Sequence, residues 1–199
     1  MTLLLAFRHA ATAWNESGRL QGRSDPPLSA AGRAAAAGWR LPPGTPWRAW
    51  CSPLARARQT ATAMGLRPRL AVELTEMSWG AWEGQSLPAL RARLGPALAE
   101  NEARGLDFRP EGGESPRQVM ARLAPFLARL AAAGEPAAAV AHKGVMRALL
   151  ALATGWDFLG RAPARIDAGT ALLFRLEGEG EGALRLLEAG VPLSAPVAA

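Results

Sequence analysis

Short apolar runs alternate along the chain with longer segments that carry the signals of helices. Residues 3–7 (LLLAF) and 137–141 (AAAVA) are apolar throughout, and 47–51 is a weaker run of the same kind. Uninterrupted runs of this length are typical of strands that are buried on both faces of a parallel sheet. Residues 171–176 and 183–187, which flank the Gly/Glu-rich stretch 177–182, predict a closing β-hairpin.

Capping residues predict helices between these strands. Serine is favoured just before a helix, proline at its first position and glycine just after its end. On these signals we expect helices that open at Ser29, at Ser52–Pro53, at Ser115–Pro116 with Gln118 as a capping-box partner, and at Gly144; they should end near residues 40, 65, 132 and 152. Strands that alternate with helices indicate an α/β fold with helices on both faces of the sheet.

The chain is predicted to form one domain. A length of 199 residues suits a single hydrophobic core of ordinary size. We therefore expect 1–199 to be one domain, in which residues 77–114, rich in Gly, Pro and Trp, form an inserted, cap-like excursion over one end of the sheet. The chain from Gly190 onward is predicted to be loose, because it contains two prolines and lies at a terminus.

Composition and charge limit the classes of binding partner that we expect. Of the 23 basic residues, 22 are arginines, and together with 17 acidic residues they give a net charge of +6. The arginines are scattered and form no basic run, so we expect no nucleic-acid partner, although an anionic substrate would not be repelled. Because 49% of the residues are apolar and 20% are charged, the chain is expected to fold by itself.

The residue types also argue against disulfide, metal and membrane sites. Cys51 is the single cysteine, which excludes a disulfide framework, and two histidines leave little for a zinc site. No apolar run approaches the roughly 20 residues of a membrane-spanning helix. Residues 3–7 are too few for the core of a signal peptide. We therefore expect a cytoplasmic protein with no metal, no cofactor and no membrane partner.

Both histidines of the chain directly follow a predicted strand. His9 comes after the first strand together with Arg8, His142 follows 137–141, and Arg56 lies about one helical turn beyond a third strand end. The carboxyl ends of parallel strands form the ligand crevice of an open α/β sheet, so these side chains should meet at one edge. Two histidines and two arginines there predict a site for an oxyanion such as phosphate, because guanidinium groups bind phosphate oxygens bidentately.

The same residues suit phosphoryl transfer through a histidine. A neutral imidazole can attack a phosphoryl group whose oxygens are neutralised by arginines and by a protonated second histidine, so that no metal is needed. An acid must still protonate the leaving alkoxide. Glu76 and Glu83, which bracket residues 77–82, are both candidates for this acid, and the residues alone leave the choice open.

The ordered motifs of the chain resemble those of the histidine phosphatase superfamily, the phosphoglycerate mutase-like proteins. They cover residues 3 to about 155 and are specific as a set, although any one of them alone would be weak. The matching segments are RHAATAWN (8–15), GRLQGRSDPPLS (18–29), CSPLARARQTA (51–61), EMSWGAWEG (76–84), GGES (112–115) and HKGVMRAL (142–149). The resemblance implies a three-layer α/β/α sandwich around a mostly parallel sheet, which agrees with the pattern of strands and helices.

The resemblance also implies roles for single residues. His9 would be transiently phosphorylated, while Arg8, Arg56 and His142 would hold the phosphoryl oxygens. Glu76 falls on the family's proton-donor position, which favours it over Glu83. Asn15 and Gln21 fall in the loop that contacts the phosphate or the substrate in this family.

Two residues depart from the family pattern. Ala10 and Lys143 follow the two histidines, where glycine is common in the family. The Cβ of Ala10 would either crowd the phosphate or matter little, depending on its backbone conformation. Lys143 adds a cation that either reaches the phosphate or points to solvent. Neither change removes a catalytic group, so the chain is not expected to be a pseudoenzyme.

Three functions are compatible with these residues. The first is a metal-independent phosphomonoester hydrolase that acts through a phosphohistidine on a small phosphorylated metabolite. The second is a phosphoglycerate mutase, which is disfavoured because the stretch 77–141 looks too short for a lid that shields the phosphoenzyme from water. The third is a non-catalytic phosphate- or nucleic-acid-binding protein, which would leave the paired histidines unexplained. The sequence identifies neither the natural substrate nor the oligomeric state.

Overall fold

The computed structural model describes residues 1–177 and 183–194 of the chain. Its strands are β1 (Thr2–Arg8), β2 (Arg48–Cys51), β3 (Arg69–Leu70), β4 (Ala137–Ala141), β5 (Thr170–Leu176) and β6 (Leu184–Pro192). They form one six-stranded sheet in the order β3-β2-β4-β1-β5-β6. The strands expected from the five apolar runs are confirmed. The additional strand β3 has only two residues, which is too short for a hydrophobic pattern to reveal.

Four of the strands run parallel and place their carboxyl ends at one edge of the sheet. β1 pairs with β4, β4 with β2, and β2 with β3, all in parallel. The register sets Phe7 beside Val140 and Arg8 beside Ala141. β5 is antiparallel to β1 and β6 is antiparallel to β5, as the predicted hairpin requires. Residues that follow β1 and β4 therefore start from adjacent positions at the same edge.

Helices cover both faces of this sheet. They are α1 (Ala13–Glu16), α2 (Ala30–Ala37), α3 (Ala55–Ala63), α4 (Leu87–Leu94), α5 (Pro96–Glu102), α6 (Pro116–Ala133) and α7 (Lys143–Thr154). Leu4 and Ala6 belong to a buried cluster with residues of α6 and α7, whereas Leu5 and Phe7 belong to another with residues of α2 and α3. Successive strand residues point to opposite faces, so the expected three-layer α/β/α sandwich is confirmed.

Of the four predicted helix starts, three are confirmed and one is wrong, and α7 begins at Lys143, one residue before the expected Gly144. Ser29 caps α2, and Ser115 forms the expected capping box with Gln118 at the start of α6. The helix expected from Ser52 begins instead at α3, three residues later, with Leu54 in the capping position and no side-chain cap of its own. The backbone N–H of Ala55 donates to a carboxylate from elsewhere in the chain, which no local pattern could predict.

The segment 77–114 contains more helix than its composition indicated. Besides α4 and α5 it has two short 3-10 helices, Gly80–Trp82 and Gly105–Asp107. Trp82, Leu90 and Leu98 form a buried cluster, against which Trp79 and Phe108 pack. Ser86 caps α4 and a proline lies in its first turn, which are the same signals that located α6. The Gly, Pro and Trp residues that dominate the surrounding segment obscure these signals.

The expectation of a loose chain after Gly190 is wrong for the residues that the structure describes. β6 continues to Pro192, the N–H of Leu193 donates to the carbonyl of Gly169, and Leu193 is buried. Most of the predicted turn at 177–182 and the residues after 194 lie outside the described ranges. Among the described helices, none is both long and apolar enough to cross a bilayer.

Candidate active site

The two histidines lie beside each other at the carboxyl ends of β1 and β4. The N–H of His9 donates to the carbonyl of Ala141, the last residue of β4, over 3.0 Å. The centroids of the His9 and His142 rings are 5.1 Å apart, with an angle of 58° between the ring planes. The sheet thus brings together the two side chains that the sequence placed at one edge.

A backbone hydrogen bond selects the tautomer of His9. Its Nδ1 lies 2.7 Å from the carbonyl oxygen of Ala10. A carbonyl can only accept, so Nδ1 must carry the proton of the neutral ring, and Nε2 therefore has the lone pair. Nε2 accepts a hydrogen bond from Nε of Arg56 over 3.3 Å. The ring nitrogen with the lone pair is consequently the one that faces the arginine.

The protein groups around His9 keep its imidazole neutral. Burial, and then the positive charges of Arg8 and Arg56, lower the pKa of His9 to about 3, although the hydrogen bond to Ala10 acts in the opposite direction. Burial removes the water that would stabilise the imidazolium, and the two cations repel it. At neutral pH His9 is therefore uncharged, which is the form of imidazole that can act as a nucleophile.

His142 has unsatisfied hydrogen-bonding capacity. It is fully buried, and neither ring nitrogen has a hydrogen-bond partner in the described part of the chain. Burial, followed by the charges of His9, Arg56 and Arg8, holds the pKa of His142 well below its usual value. The protonated form expected from the sequence is therefore not the form that the protein alone favours. A phosphoryl dianion beside the ring would raise this pKa and would supply the acceptor that the ring lacks.

Arg56 holds the first loop together and orients His9. It is fully buried, and its terminal nitrogens donate to the carbonyls of Gly22 and Ser24 and to the carboxylate of Asp25. A guanidinium has five N–H donors, and these three bonds together with the one to His9 engage four of them. Arg56 can therefore offer only one further N–H to a phosphoryl group, less than the bidentate clamp expected from the sequence.

Arg8 is the arginine that remains open to an anion. Its Nε is buried and has no partner among residues 1–177 and 183–194. Burial lowers the pKa of Arg8, and the negative charge of Glu76 partly offsets this effect. Since Arg8 directly precedes His9 in the chain, its guanidinium can bind the oxygens of a phosphoryl group in reach of Nε2.

Glu76 is a buried residue whose carboxyl group lies against the first turn of α7. Its Oε1 accepts hydrogen bonds from the N–H of Met77 over 2.8 Å and from the N–H of Gly144 over 3.0 Å. Burial raises the pKa of Glu76, although these two bonds and the charges of Arg56 and Arg8 lower it. A carboxyl with a raised pKa is protonated over a wider pH range, which suits a proton donor.

The approach of Glu76 to α7 depends on a glycine. A Cβ at Gly144 would lie 2.5 Å from Oε1 of Glu76 and 3.0 Å from Cβ of Met77. Arg122 of α6 fixes the same segment from the other side, because it donates to the carbonyls of Glu73 and Thr75. No pattern in the sequence indicated this contribution of Arg122.

The alternative acid, Glu83, has a structural position. Its carboxylate accepts hydrogen bonds from the N–H groups of Arg23, Ser24 and Trp79 and from the hydroxyl of Ser24. Burial alone would raise the pKa of Glu83, but these hydrogen bonds outweigh it and lower the pKa. A carboxylate in this state joins the first loop to the segment after Glu76 and is poorly suited to donate a proton.

The remaining expected residues lie around the same site and differ in which of their polar atoms are free to bind a ligand. Oδ1 of Asn15 accepts from the N–H and hydroxyl of Thr12, so only its NH₂ group can reach a ligand. Gln21 is buried, and its Oε1 has no partner in the described residues. Lys143 has a solvent-exposed side chain at the first position of α7 and also lines the cavity.

Ala10 does not crowd the phosphate position. Phe158 is the one non-glycine residue with a positive φ in the described part of the chain, so Ala10 has an ordinary backbone conformation. Its side chain belongs to the buried cluster that includes Phe7 and Ala57. Its N–H donates to the hydroxyl of Thr60. The methyl group therefore fills a space in the core, and the second of the two expected outcomes applies.

Most of the expected site residues line a cavity of about 420 Å³; His142 is fully buried beside His9 and is not among the lining residues. The reactive end contains Arg8, His9, Arg56 and Glu76, and the other end is lined by aromatic residues and further cations. The segments 11–28 and 77–114 supply most of its wall. A second depression of about 450 Å³ has no histidine or carboxylate in its lining, which consists of Arg33, Arg58, Gln59, Thr62 and Ala63.

Comparisons with known proteins identify the family of the chain. The model of the histidine phosphatase superfamily (branch 1) matches residues 4–188. The chain is 32% identical to a 2,3-bisphosphoglycerate-dependent phosphoglycerate mutase of Methylobacterium radiotolerans, covering 89% of this chain and 91% of the relative.

Two further proteins are similar to a comparable degree. The chain is 34% identical to a glucosyl-3-phosphoglycerate phosphatase of Mycobacterium tuberculosis, covering 79% of each chain. The solved structure of TTHB049 from Thermus thermophilus matches with a TM-score of 0.72 and 35% identity, over 97% of this chain and 99% of that one. The match to the family model spans both strand-end histidines and the buried glutamate between them, and the chain belongs to the histidine phosphatase superfamily, branch 1.

Proposed function

We propose that this protein hydrolyses small phosphomonoesters through a phosphohistidine at His9, without a metal ion. The observation that carries the proposal is the hydrogen bond between Nδ1 of His9 and the carbonyl of Ala10, which leaves a lone pair on Nε2. That nitrogen lies beside Arg56, in a cavity that also contains Arg8 and Glu76. A neutral nucleophile, cations for the phosphoryl oxygens and a buried acid are the groups that the reaction requires.

In the first step, Nε2 of His9 gives up the hydrogen bond from Nε of Arg56, attacks the phosphorus atom with the freed lone pair and forms a P–N bond. The bond between phosphorus and the ester oxygen breaks, and the leaving alkoxide takes the proton of the Glu76 carboxyl. Arg8, the remaining N–H of Arg56 and an N–H of His142 bind the three non-bridging oxygens, whose charge is spread in the transition state. Nδ1 of His9 keeps its proton, so the hydrogen bond to Ala10 persists and disperses the positive charge that develops on the ring.

In the second step, water replaces the alcohol. The Glu76 carboxylate takes a proton from the water molecule while its oxygen attacks phosphorus. The P–N bond breaks, and its electron pair returns to Nε2 of His9. Inorganic phosphate leaves, and both His9 and Glu76 regain their starting protonation states, so the cycle needs no further reactant.

A phosphoglycerate mutase is the second candidate, because a relative with that name is 32% identical to this chain. The chain covers 91% of that relative, so a long additional lid does not distinguish the two proteins. We favour hydrolysis because the outer rim of the cavity contains exposed residues, among them Arg19, Glu102 and Lys143, which leave a path for water. The relative named as a glucosyl-3-phosphoglycerate phosphatase supports the same choice.

The proposal is tested with para-nitrophenyl phosphate in the presence of a chelator. We expect the wild type to release phosphate and His9→Asn to release none. Rapid acid-free quenching should trap one acid-labile, alkali-stable phosphoryl group per wild-type chain, as a phosphoramidate requires. His9 is nearly buried, so the melting temperature of His9→Asn must be measured as well. A folded His9→Asn protein with full activity, or activity that the chelator abolishes, contradicts the proposal.

A parallel assay separates the other functions. Conversion of 3-phosphoglycerate to its 2-isomer without release of phosphate would identify a mutase. Tight binding to nucleic acid that weakens steeply with salt, without turnover of any ester, would identify a binding protein. We further infer that the protein acts in the cytoplasm on small metabolites, which is supported by a composition with a single cysteine and therefore no internal disulfide.

A further inference from the structure

Arg147 lies at the outer part of the cavity and takes no part in the chemistry proposed above. It belongs to α7, four residues after Lys143, and both side chains line the cavity. Four residues of an α-helix advance by about 6 Å. The face of α7 that begins at the N–H bound to Glu76 therefore carries two cations, at increasing distance from the reacting centre.

The guanidinium of Arg147 has no counterion in the described part of the protein. Its Nε is buried without a hydrogen-bond partner, and no carboxylate of residues 1–177 or 183–194 forms an ion pair with it. Burial lowers the pKa of Arg147, and no acidic group offsets the effect. By contrast, the buried Arg56 has Asp25, and Arg122 has Glu114. An arginine that is partly buried without a carboxylate partner has its charge and its N–H donors available for an anionic ligand.

Two aromatic rings hold this guanidinium and leave its N–H edge free. Its central carbon lies 4.9 Å from the ring centroids of both Trp156 and Phe158, which stack on each other. A guanidinium that packs against an aromatic face keeps its in-plane N–H donors available for an anion. Arg147 is thus fixed in place without using the donors that would bind a carboxylate or a phosphate.

The segment that carries these rings is itself held against the cavity. Phe158 lines the cavity with a φ of 70°, an unfavourable conformation for a bulky residue. The carbonyl of Asp157 packs on Gly105, where a Cβ would lie only 2.5 Å from that oxygen. The indole N–H of Trp156 donates to the carbonyl of Leu159. The surrounding structure therefore imposes the strained backbone and sets the position of Phe158 at the wall.

We propose that Arg147, supported by Lys143, binds a second anionic group of the substrate, so that the preferred substrates are short phosphomonoesters that also carry a carboxylate or another phosphate. This inference rests on the proposed function, since it concerns the same cavity. The phosphoryl group would lie at His9 and Arg8, and the second anion about one helical turn further out along α7. A neutral alcohol phosphate could occupy the reactive end but would leave Arg147 without its counterion.

Matched substrate pairs test this proposal. In 3-phosphoglycerate and glycerol 3-phosphate, a carboxylate and a hydroxymethyl group occupy equivalent positions. Propane-1,3-diol bisphosphate and its monophosphate differ in the second phosphate. We expect wild-type kcat/KM to favour the anionic member of at least one pair by about 10- to 100-fold, which is the usual worth of one or two charge-assisted hydrogen bonds. The pair that shows the preference identifies the anion.

Substitutions then assign the preference to Arg147. In Arg147→Gln the preference should fall at least tenfold, chiefly through a higher KM for the anionic member, because the contact is present in ground and transition states alike. Arg147→Lys should keep part of it, since the charge remains but the planar fork is lost. Arg67→Gln, which changes an exposed arginine outside the cavity, should keep all of it. Melting temperatures show whether each variant is folded, and if Arg147→Gln is not, Arg147→Lys decides.

The outcomes separate this inference from the function on which it rests. A wild type that hydrolyses para-nitrophenyl phosphate but treats both members of each pair alike overturns the second-anion site and leaves the phosphatase proposal intact. A folded Arg147 variant with the full wild-type preference also overturns it. A wild type that hydrolyses none of the esters contradicts the proposed function itself.

Discussion

Asp25 tests the connection between the stability of the fold and the orientation of His9. One carboxylate oxygen of Asp25 accepts the N–H of Ala55 at the start of α3 over 2.6 Å, and the other accepts from Arg56 over 3.3 Å. α3 has no cap from its own sequence. Replacing Asp25 therefore removes a helix cap and a partner of the buried arginine at the same time.

The expected loss of stability follows from these two contacts. Loss of an N-cap costs about 1 kcal/mol. Removing the partner of a buried charge costs about 3–5 kcal/mol, but Arg56 keeps its bonds to Gly22 and Ser24 and the Asp25 side chain is 33% exposed, so we reduce this part to about 1–2 kcal/mol. Asp25→Ala should lose about 2–3 kcal/mol in all, or about 5–10 °C in melting temperature for a domain of this size.

The variant Asp25→Asn separates the two contacts. An amide has a single acceptor oxygen, so Asn can still cap α3 but cannot also bind Arg56. We expect it to lose about half as much stability as Asp25→Ala, whereas both variants should lose about tenfold in kcat/KM because Arg56 no longer holds His9 firmly.

Thermal denaturation and steady-state assays on the same preparations measure both quantities. Asp107→Ala removes a surface ion pair whose side chains are both more than half exposed, and it should change neither quantity. Equal destabilisation by Asp25→Asn and Asp25→Ala, with unchanged kcat/KM in both, would refute the assignment of two separate roles.

Three further predictions concern the acid and the nucleophile. Glu76→Gln should slow alkyl phosphates by about 10²- to 10⁴-fold, yet slow para-nitrophenyl phosphate far less, because that leaving group needs no proton; equal losses would mean that the acid is misassigned. Gly144→Ala should reproduce this leaving-group dependence by displacing Glu76, whereas Gly38→Ala, whose Cβ meets only an ordinary contact, should not. The pKa of His9 lies near 3 in the folded protein and near 6.5 in the unfolded chain, so below pH 6.5 the unfolded state binds an extra proton. The free energy of unfolding should therefore fall by up to about 1.4 kcal/mol per pH unit as the pH is lowered. The dependence of this free energy on pH between 6.5 and 5 should be weaker in His9→Asn.

The parts of the fold that follow from local patterns could be predicted from the sequence. An apolar run with no alternation can be satisfied only by burial on both faces, which is why residues 3–7 and 137–141 were located to within one residue. Ser115, Pro116 and Gln118 act on their own helix, and α6 begins where they indicated. Placement of His9 and His142 then followed from a topological rule for parallel strands.

The parts that depend on distant partners could not be predicted in this way. α3 is capped by Asp25, 30 positions earlier in the chain, and Ser52 instead accepts a hydrogen bond from Leu54 in a turn. The sequence alone did not distinguish Glu76 from Glu83 as the acid, because the two differ in the hydrogen-bond donors that surround them in the folded protein. Gly144 and Met77 bind one carboxyl, while the first loop binds the other. Motif resemblance favoured Glu76, and the raised pKa of Glu76 and the lowered pKa of Glu83 are consistent with that prediction.

The arrangement of charge explains why the two arginines of the motif are not equivalent. Arg56 is fully buried, and its bonds to the first loop and to Asp25 make it a fixed positive charge beside Nε2 of His9. Arg8 has an Nε without a partner in the described chain, so its guanidinium is free to follow the phosphoryl oxygens. Both arginines lower the pKa of His9, but Arg56 is fixed by protein partners, whereas Arg8 keeps more of its donors for the substrate. Because the carbonyls of Gly22 and Ser24 and the carboxylate of Asp25 hold Arg56, its charge stays beside His9 whether or not an anion is bound.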